Sequence, residues 1–219
     1  IVVLRLARPA GFRFQAGQAL KLGLAGGGNS RPYTIASPPS AEHLEFCIER
    51  IASGNLSPRL TNLQPGARVE LAVAAKGSLT FNAAASVHLM LATATGIAPF
   101  RSMLLELLRA PTPSRRIVLL HGASYADRLP YLDELSGLAR RYPDVLTYVA
   151  TVSRPSEPRN AGWSGQTGRV DTFIASFLQL ADEAARPLQA YACGNSAMIE
   201  SSRQLLALHG LSLKSEAFD

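Results

Sequence analysis

The chain has 219 residues, 47% hydrophobic and 17% charged, enough apolar content to bury one large core or two smaller ones, which excludes a disordered segment. No apolar run approaches the ~18 residues needed to cross a bilayer, because the longest, residues 87–99, is broken by His88, Thr93, Thr95, Gly96 and Pro99. The net charge of +6 points to an acidic partner, while the scattering of Lys and Arg argues against nucleic acid.

The first 80 or so residues read as short strands punctuated by Gly and Pro: residues 1–7, 19–24, 32–37, 44–51, 68–74 and 79–81. Leu44, Phe46 and Ile48 alternate with Glu45, Cys47 and Glu49, the pattern of a half-buried strand. Gly26-Gly27-Gly28-Asn29 is a flexible loop and Pro65-Gly66 a turn. Such an all-β stretch is most simply an antiparallel barrel. After Ala83-Ala84-Ala85 the pattern changes to strands alternating with helices. Strands are expected at 87–92, 117–120, 145–151, 189–193 and 211–218, and helices from Pro99, at 130–142, at 170–178 and at 196–208. That alternation predicts a parallel sheet. The expected domains are 1–84, a β-barrel, and 85–219, an α/β nucleotide-binding unit.

Ile1 stands first without Met, inside a candidate strand, and no signal-peptide pattern follows. Such a start is expected of a fragment or a trimmed chain, for which an upstream segment or domain stays open. Cys47 and Cys193 are far apart with no C-x-x-C spacing, so no metal site is expected, and two free thiols fit a cytoplasmic protein.

Four short motifs carry chemistry. In Arg31-Pro32-Tyr33-Thr34-Ile35-Ala36-Ser37-Pro38, residues two apart on a strand share a face, so Arg31 and Tyr33 point together. A guanidinium beside a phenol ring suits a ligand with both a phosphate and a flat ring. Gly54-Asn55-Leu56-Ser57-Pro58-Arg59-Leu60 offers helix-start N–H groups and the Ser57 hydroxyl to an anion, and it equally fits an ordinary helix with Pro at its first position. Thr93-Ala94-Thr95-Gly96-Ile97-Ala98-Pro99 follows an apolar strand, the geometry for a nucleotide beyond the carboxyl end of a parallel strand, without G-x-G-x-x-G or a Walker lysine. Tyr191-Ala192-Cys193-Gly194-Asn195-Ser196-Ala197-Met198 repeats that logic, with Cys193 at the strand tip, Ser196 as a helix cap and Met198 as core packing.

Taken in order, these motifs, with Phe14-Gln15-Ala16-Gly17-Gln18 and Ser153-Arg154, resemble the ferredoxin–NADP+ reductase family of flavoproteins, in its bacterial form without a fused iron–sulfur domain. The resemblance runs from about residue 14 to the end of the chain. It implies FAD and NADP(H) as cofactors. Arg31, Pro32, Tyr33 and Thr34 would bind FAD, with Arg31 on the pyrophosphate, Tyr33 against the ring and the Thr34 hydroxyl near flavin N5. Gly54, Asn55, Leu56 and Ser57 would hold phosphates, largely through backbone N–H groups. Thr95, Gly96, Ile97, Cys193 and Gly194 would bound the nicotinamide. Glu216 matches the family's acid near the reacting atoms, and Phe218 matches the aromatic that covers the flavin, one residue before Asp219. Thr34, Cys193 and Glu216 would therefore shape the transition state.

Ser153 and Arg154, with Arg159 or Arg169 as a further cation, would bind the 2′-phosphate and favour NADP over NAD. The usual cluster is incomplete, since Gly122 is followed by Ala123-Ser124-Tyr125 and Arg128 comes late. The implied function is hydride transfer between NADPH and the flavin, with single electrons passing to or from an acidic ferredoxin or flavodoxin. Other readings are an NADH-dependent reductase component of an oxygenase system, a flavin-binding electron-transfer subunit without turnover, and a basic barrel that binds single-stranded nucleic acid.

Overall fold

The computed structural model describes residues 1–109, 115–182 and 187–218. The chain falls into two compact units. The first comprises Ile1–Phe81 with Ala98–Ala110, and the second comprises Asn82–Ile97 with Pro111–Asp219.

The first unit contains β1 (Val2–Ala7), β2 (Ala19–Leu24), β3 (Ser30–Thr34), β4 (His43–Ile48), the one-turn helix α1 (Ser57–Leu60), β5 (Val69–Leu71) and α2 (Ala98–Leu107). β1 pairs antiparallel with β4, and β2 lies between β3 and β5, antiparallel to both. The isolated bridge Ile35↔Phe46 connects the end of the β3 segment to β4, and Ala19↔Lys76 extends the edge of β2. Among the described residues these ladders do not close into a ring. Leu20, Leu22, Ile35, Leu44, Phe46, Ile48, Leu56 and Leu60 form the core.

Two expectations fail here. Residues 79–81 form no strand. Leu79 is buried, but its carbonyl lies against Gly17, where an added Cβ would meet it at 2.0 Å, so the segment packs without a ladder. β4 is also buried on both faces: Glu45 and Cys47, expected to face solvent, are 1% and 7% exposed. The cover is α2, whose Arg101 meets the Glu45 carboxylate at 3.0 Å, while Arg5 of β1 meets it at 2.7 Å.

The second unit is a six-stranded sheet of β6 (Val87–Thr93), β7 (Arg116–Ala123), β8 (Leu146–Val152), β9 (Gln166–Thr167), β10 (Leu188–Gly194) and β11 (Leu213–Ala217), ordered β11-β10-β6-β7-β8-β9 with every pair parallel. Three α-helices accompany it: α3 (Leu132–Arg141), α4 (Ile174–Asp182) and α5 (Ser196–Ala207). β6 reads V-H-L-M-L-A and is buried over six consecutive residues, as a strand covered on both sides must be. α3 places Asp133 and Glu134 in its first turn and Arg140 and Arg141 in its last, which complements its dipole. The short β9 carries no period in the sequence. The helix expected from Val170 begins as a 3-10 turn and becomes α-helical only at Ile174.

The strand order decides where a ligand belongs. The chain runs from β6 outward through β7, β8 and β9, then returns to the other side of β6 as β10. In open parallel sheets such a reversal leaves a crevice beyond the carboxyl ends of the two central strands. Those ends are Thr93 and Gly194, the two loops singled out by their glycines.

Candidate functional site

In the first unit, β3 is an edge strand, which tolerates the missing N–H of Pro32. Arg31 and Tyr33 lie opposite Leu22 and Leu20 of β2 and so share a face. Arg31 is exposed and Tyr33 half-buried, and burial pushes the Tyr33 phenol up, partly offset by the Arg31 charge. Thr34 is buried, and its hydroxyl has no hydrogen-bond partner in the protein. An orphaned buried hydroxyl costs about 1–3 kcal/mol, so a group that satisfies it gains that much.

The segment after Thr34 is tied down closely. Ile35 N donates to Gln18 O at 3.0 Å and Ala36 N to Glu45 O at 2.7 Å. Arg101 Nη1 donates to Ala36 O at 2.8 Å, and Ser102 Oγ to Ser37 O at 2.7 Å. Ser37 Oγ donates in turn to His43 O and accepts from Glu45 N, both at 3.1 Å.

In the Gly54–Leu60 loop the Ser57 hydroxyl accepts from Ile51 N at 3.0 Å. It thereby helps close its own turn, and its O–H proton is not used in that bond. A Cβ on Gly54 would stand 3.1 Å from Ile51 O and 3.3 Å from Ser57 Oγ, tight contacts that glycine avoids in that turn. Leu56 and Leu60 anchor the loop in the core.

In the second unit the two loops at the switch point interlock. A Cβ on Gly96 would lie 2.2 Å from the Cys193 carbonyl oxygen, and one on Gly194 would lie 2.0 Å from Thr93 Oγ1. Thr93 Oγ1 accepts from Asn195 N at 2.8 Å, and Phe218 N donates to Gly194 O at 3.0 Å. Each loop thus supplies a glycine where the other loop presses against it. Gly194 also sits at φ +131°, a conformation that favours glycine. Asn195, and not Ser196, caps α5, its side chain accepting from Ala197 N and Met198 N; Met198 is core, as expected.

Ala94, at φ +47°, is strained for a residue with a side chain. Its carbonyl is held by His121 Nε2 at 3.0 Å, while His121 Nδ1 lies 3.0 Å from the Tyr148 hydroxyl. Burial pushes His121 down to about 4, so the ring is neutral: Nε2 donates to Ala94 O, and Nδ1 accepts from Tyr148.

Cys193 is fully buried, with Ala92 of β6 and Glu216 of β11 as its Cα partners. Burial, and after it the charge of Glu216, pushes its thiol well up, so it stays protonated and is no nucleophile. Burial likewise pushes the half-buried Glu216 carboxyl up, toward the proton-holding form. The register therefore brings Cys193 and Glu216 together. Phe218, at the edge beyond β11, is 37% exposed.

At the end of β8, Ser153 N donates to Ala123 O at 2.9 Å. The Arg154 guanidinium lies 5.7 Å from the Tyr125 ring centre and that of Arg159 4.3 Å from it. Asn160, 4% exposed, donates to Ser124 O and Arg154 O and accepts from Ala126 N. This one amide fastens the loop after β8, which carries both Arg154 and Arg159, to the loop after β7, which carries Tyr125. Arg169 pairs with the buried Asp171 at 3.2 Å.

The sequence reading named Thr93 and Tyr125 within its segments but gave neither a role, and it did not name His121 or Asn160. Thr93 and Tyr125 had a signal, since each flanks a glycine turn at a strand end. His121 and Asn160 had none, because their partners lie 27 or more residues away or are backbone atoms.

Known proteins resemble this chain over most of its length. The family described as "oxidoreductase NAD-binding domain" matches residues 90–204. The chain is 34% identical over 200 residues to ferredoxin–NADP reductase B of Sorangium cellulosum, covering 89% of this chain and 79% of the relative. It is 33% identical to the flavodoxin/ferredoxin–NADP reductase of Escherichia coli, covering 87% and 77%. Among solved structures, a ferredoxin NADP+ reductase from Neisseria gonorrhoeae with bound FAD and NADP superposes with a TM-score of 0.78 at 25% identity, covering 97% of this chain and 91% of that one. With the sheet order, the interlocked glycine loops and these relatives in agreement, the chain belongs to the ferredoxin–NADP reductase family.

Proposed function

We propose that the chain is an FAD-dependent oxidoreductase that moves a hydride between NADPH and the flavin and exchanges single electrons with an acidic ferredoxin or flavodoxin. The observation that carries this reading is the interlocked pair of glycine loops at the β6/β10 switch point, with Cys193 and Glu216 in register beside it. The first unit fits a flavin, because the buried Thr34 hydroxyl lacks a partner that a ring nitrogen would supply. Bound FAD supplies the hydride-accepting ring and the one-electron steps.

The chain's own residues bind and orient. Arg31 grips the pyrophosphate, and Tyr33 and Phe218 offer ring faces to the flavin, with Pro32 keeping the edge strand extended. The backbone of Gly54, Asn55, Leu56 and Ser57 receives phosphate oxygens. Thr95, Gly96, Ile97, Cys193 and Gly194 receive the nicotinamide, which the glycines allow to approach the backbone closely. Glu216 holds a proton beside the reacting atoms. Ser153, Arg154, Arg159 and Arg169 favour a 2′-phosphate. In this reading the two antiparallel sheets of the first unit are the walls of the flavin-holding barrel, and the domains divide at residues 84 and 85.

The charge of +6 steers an acidic redox protein, with rates that fall as salt rises. The two unpaired, buried thiols suit the cytoplasm. No helix among the described residues is long and apolar enough to cross a membrane. A second reading, an NADH-dependent reductase component of an oxygenase system, is favoured by one observation: Arg154 and Arg159 are both paired with carboxylates.

The test is one absorbance spectrum of the purified protein, taken before and after anaerobic NADPH. The expected result is a yellow protein whose flavin band bleaches, faster with NADPH than with NADH. Protein that takes up no FAD, or FAD that stays oxidised with both coenzymes, refutes the proposal.

A further inference from the structure

The loop after β8 that carries Arg154 and Arg159 also carries Glu157, and the loop after β7 brings Asp127 to it. Asp127 Oδ2 accepts from both Nε and Nη2 of Arg159, at 3.1 and 2.6 Å, so that guanidinium edge is fully engaged. Glu157 Oε1 lies 3.3 Å from Arg154 Nη1, and its Oε2 accepts from the Tyr125 hydroxyl at 2.6 Å. Arg154 Nη1 also donates to that hydroxyl at 3.1 Å. Both arginines flank the same ring.

We propose that Asp127 and Glu157 are specificity-determining residues: seated on Arg159 and Arg154, they compete with a nucleotide 2′-phosphate and set how strongly it is preferred over a free 2′-hydroxyl. The inference rests on the NADPH reading above and names the residues that tune it.

The backbone here is fixed and the side chains are exchangeable. Asn160 uses both amide ends to clamp Ser124, Ala126 and Arg154, so the spacing of the two cations does not depend on the acids. The ion pairs themselves are open to water, with side-chain exposures of 55% and 43% for Arg154 and Glu157 and of 45% and 57% for Arg159 and Asp127. Exposed pairs are weak, worth about fivefold or less in an equilibrium constant. A phosphate, with more charge and three acceptor oxygens, displaces a carboxylate from a guanidinium at that cost. Nearby, Ser124 and Tyr125 stand in the turn after Gly122 where a cation would strengthen the site, so the acids oppose two arginines unaided by a third cation in that turn.

The experiment is calorimetric titration of the full chain with adenosine 2′,5′-bisphosphate and, as reference, 5′-AMP. It compares the wild type, Asp127→Asn, Glu157→Gln and the double variant. Each single variant is expected to bind the bisphosphate about fivefold more tightly, and the double variant more tightly still. 5′-AMP, which lacks the 2′-phosphate, should bind all four proteins alike. Steady-state kinetics should show a lower KM for NADPH in the variants. Bisphosphate affinity that is unchanged or weaker in both single variants, with wild-type binding intact, overturns the inference and leaves the NADPH reading standing. A wild type that binds neither nucleotide overturns both.

Discussion

Replacing Gly96 by alanine tests the interlock at the switch point directly. The glycine does not lie in the left-handed region, so alanine is acceptable to its backbone and the effect is steric. The new Cβ would stand 2.2 Å from the Cys193 carbonyl oxygen, 2.6 Å from its carbonyl carbon and 3.0 Å from Gly194 Cα. Ordinary contact needs about 3.5 Å, so the two loops must part by about 1 Å. All three clashing atoms are backbone, and no rotamer change relieves them. Overpacking of this kind costs about 1–3 kcal/mol, a fall in Tm of roughly 2–10 °C for a chain of this size. A displacement of about 1 Å at a reacting centre costs on the order of 100-fold in rate. Stopped-flow reduction by NADPH should therefore slow by about two orders of magnitude, while FAD content, which the proposed function assigns to the first unit, should stay at wild-type level. Gly137→Ala is the control: its Cβ meets nothing closer than 3.9 Å, within α3, and should stabilise by about 0.5–1 kcal/mol. If Gly96→Ala turns over at the wild-type rate, the loops are not held against each other and the reasoning fails.

Three further outcomes follow from the buried charges. The Glu216 carboxyl titrates above its ordinary range in the folded protein, so the native state binds more protons than the unfolded chain between the two values, and stability falls as pH rises through that window. Glu216→Gln should be more stable than wild type at pH 7 in urea titrations, with the gap closing as pH drops below the ordinary glutamate value, and the pH profile of hydride transfer should lose an acidic group that the wild type shows. His121 is shifted the other way, down to about 4, so the unfolded chain takes up its proton first and stability falls as pH drops from about 6.5 to about 4. His121→Asn should flatten part of that decline, and an unaltered pH dependence would refute the neutral-imidazole assignment. Glu45→Ala removes the carboxylate that balances the charge of Arg101, which is only 11% exposed, and should cost about 3–5 kcal/mol in denaturant unfolding together with lower FAD retention; a loss below about 1 kcal/mol would show that water reaches the pair.

The α/β half of the molecule was legible because its signals are local. Six buried residues in a row in β6, followed by a glycine and a helix start, specify a covered parallel strand without reference to anything distant. The same holds for β10 and its Cys-Gly turn. The first unit was less legible because distant chain covers it. Glu45 alternates with Leu44 and Phe46 like a solvent-facing residue, and its cover comes from distant chain, Arg5 forty positions earlier and Arg101 56 positions later. Residues 79–81 have a strand's composition, but Gly17 takes up the backbone contact and no partner strand remains. At the site, the residues proposed to touch ligand stand in short contiguous motifs and were readable. Residues that act by holding backbone were not: His121 on Ala94 and Asn160 on Ser124 and Arg154 leave no spacing pattern.

The interleaving of the two units bears on how this molecule can be recombined. Because 98–110 groups with 1–81 and 82–97 with the remainder, the polypeptide changes allegiance three times. A chimera made by a single crossover near residue 82 would therefore unite one parent's Glu45 with another parent's α2, and the guanidinium that neutralises the carboxylate would become a matter of chance. Modular exchange of coenzyme preference within such proteins calls for grafts that carry the ten-residue helix with its original β-scaffold, and shuffled libraries that ignore this should be depleted in folded members.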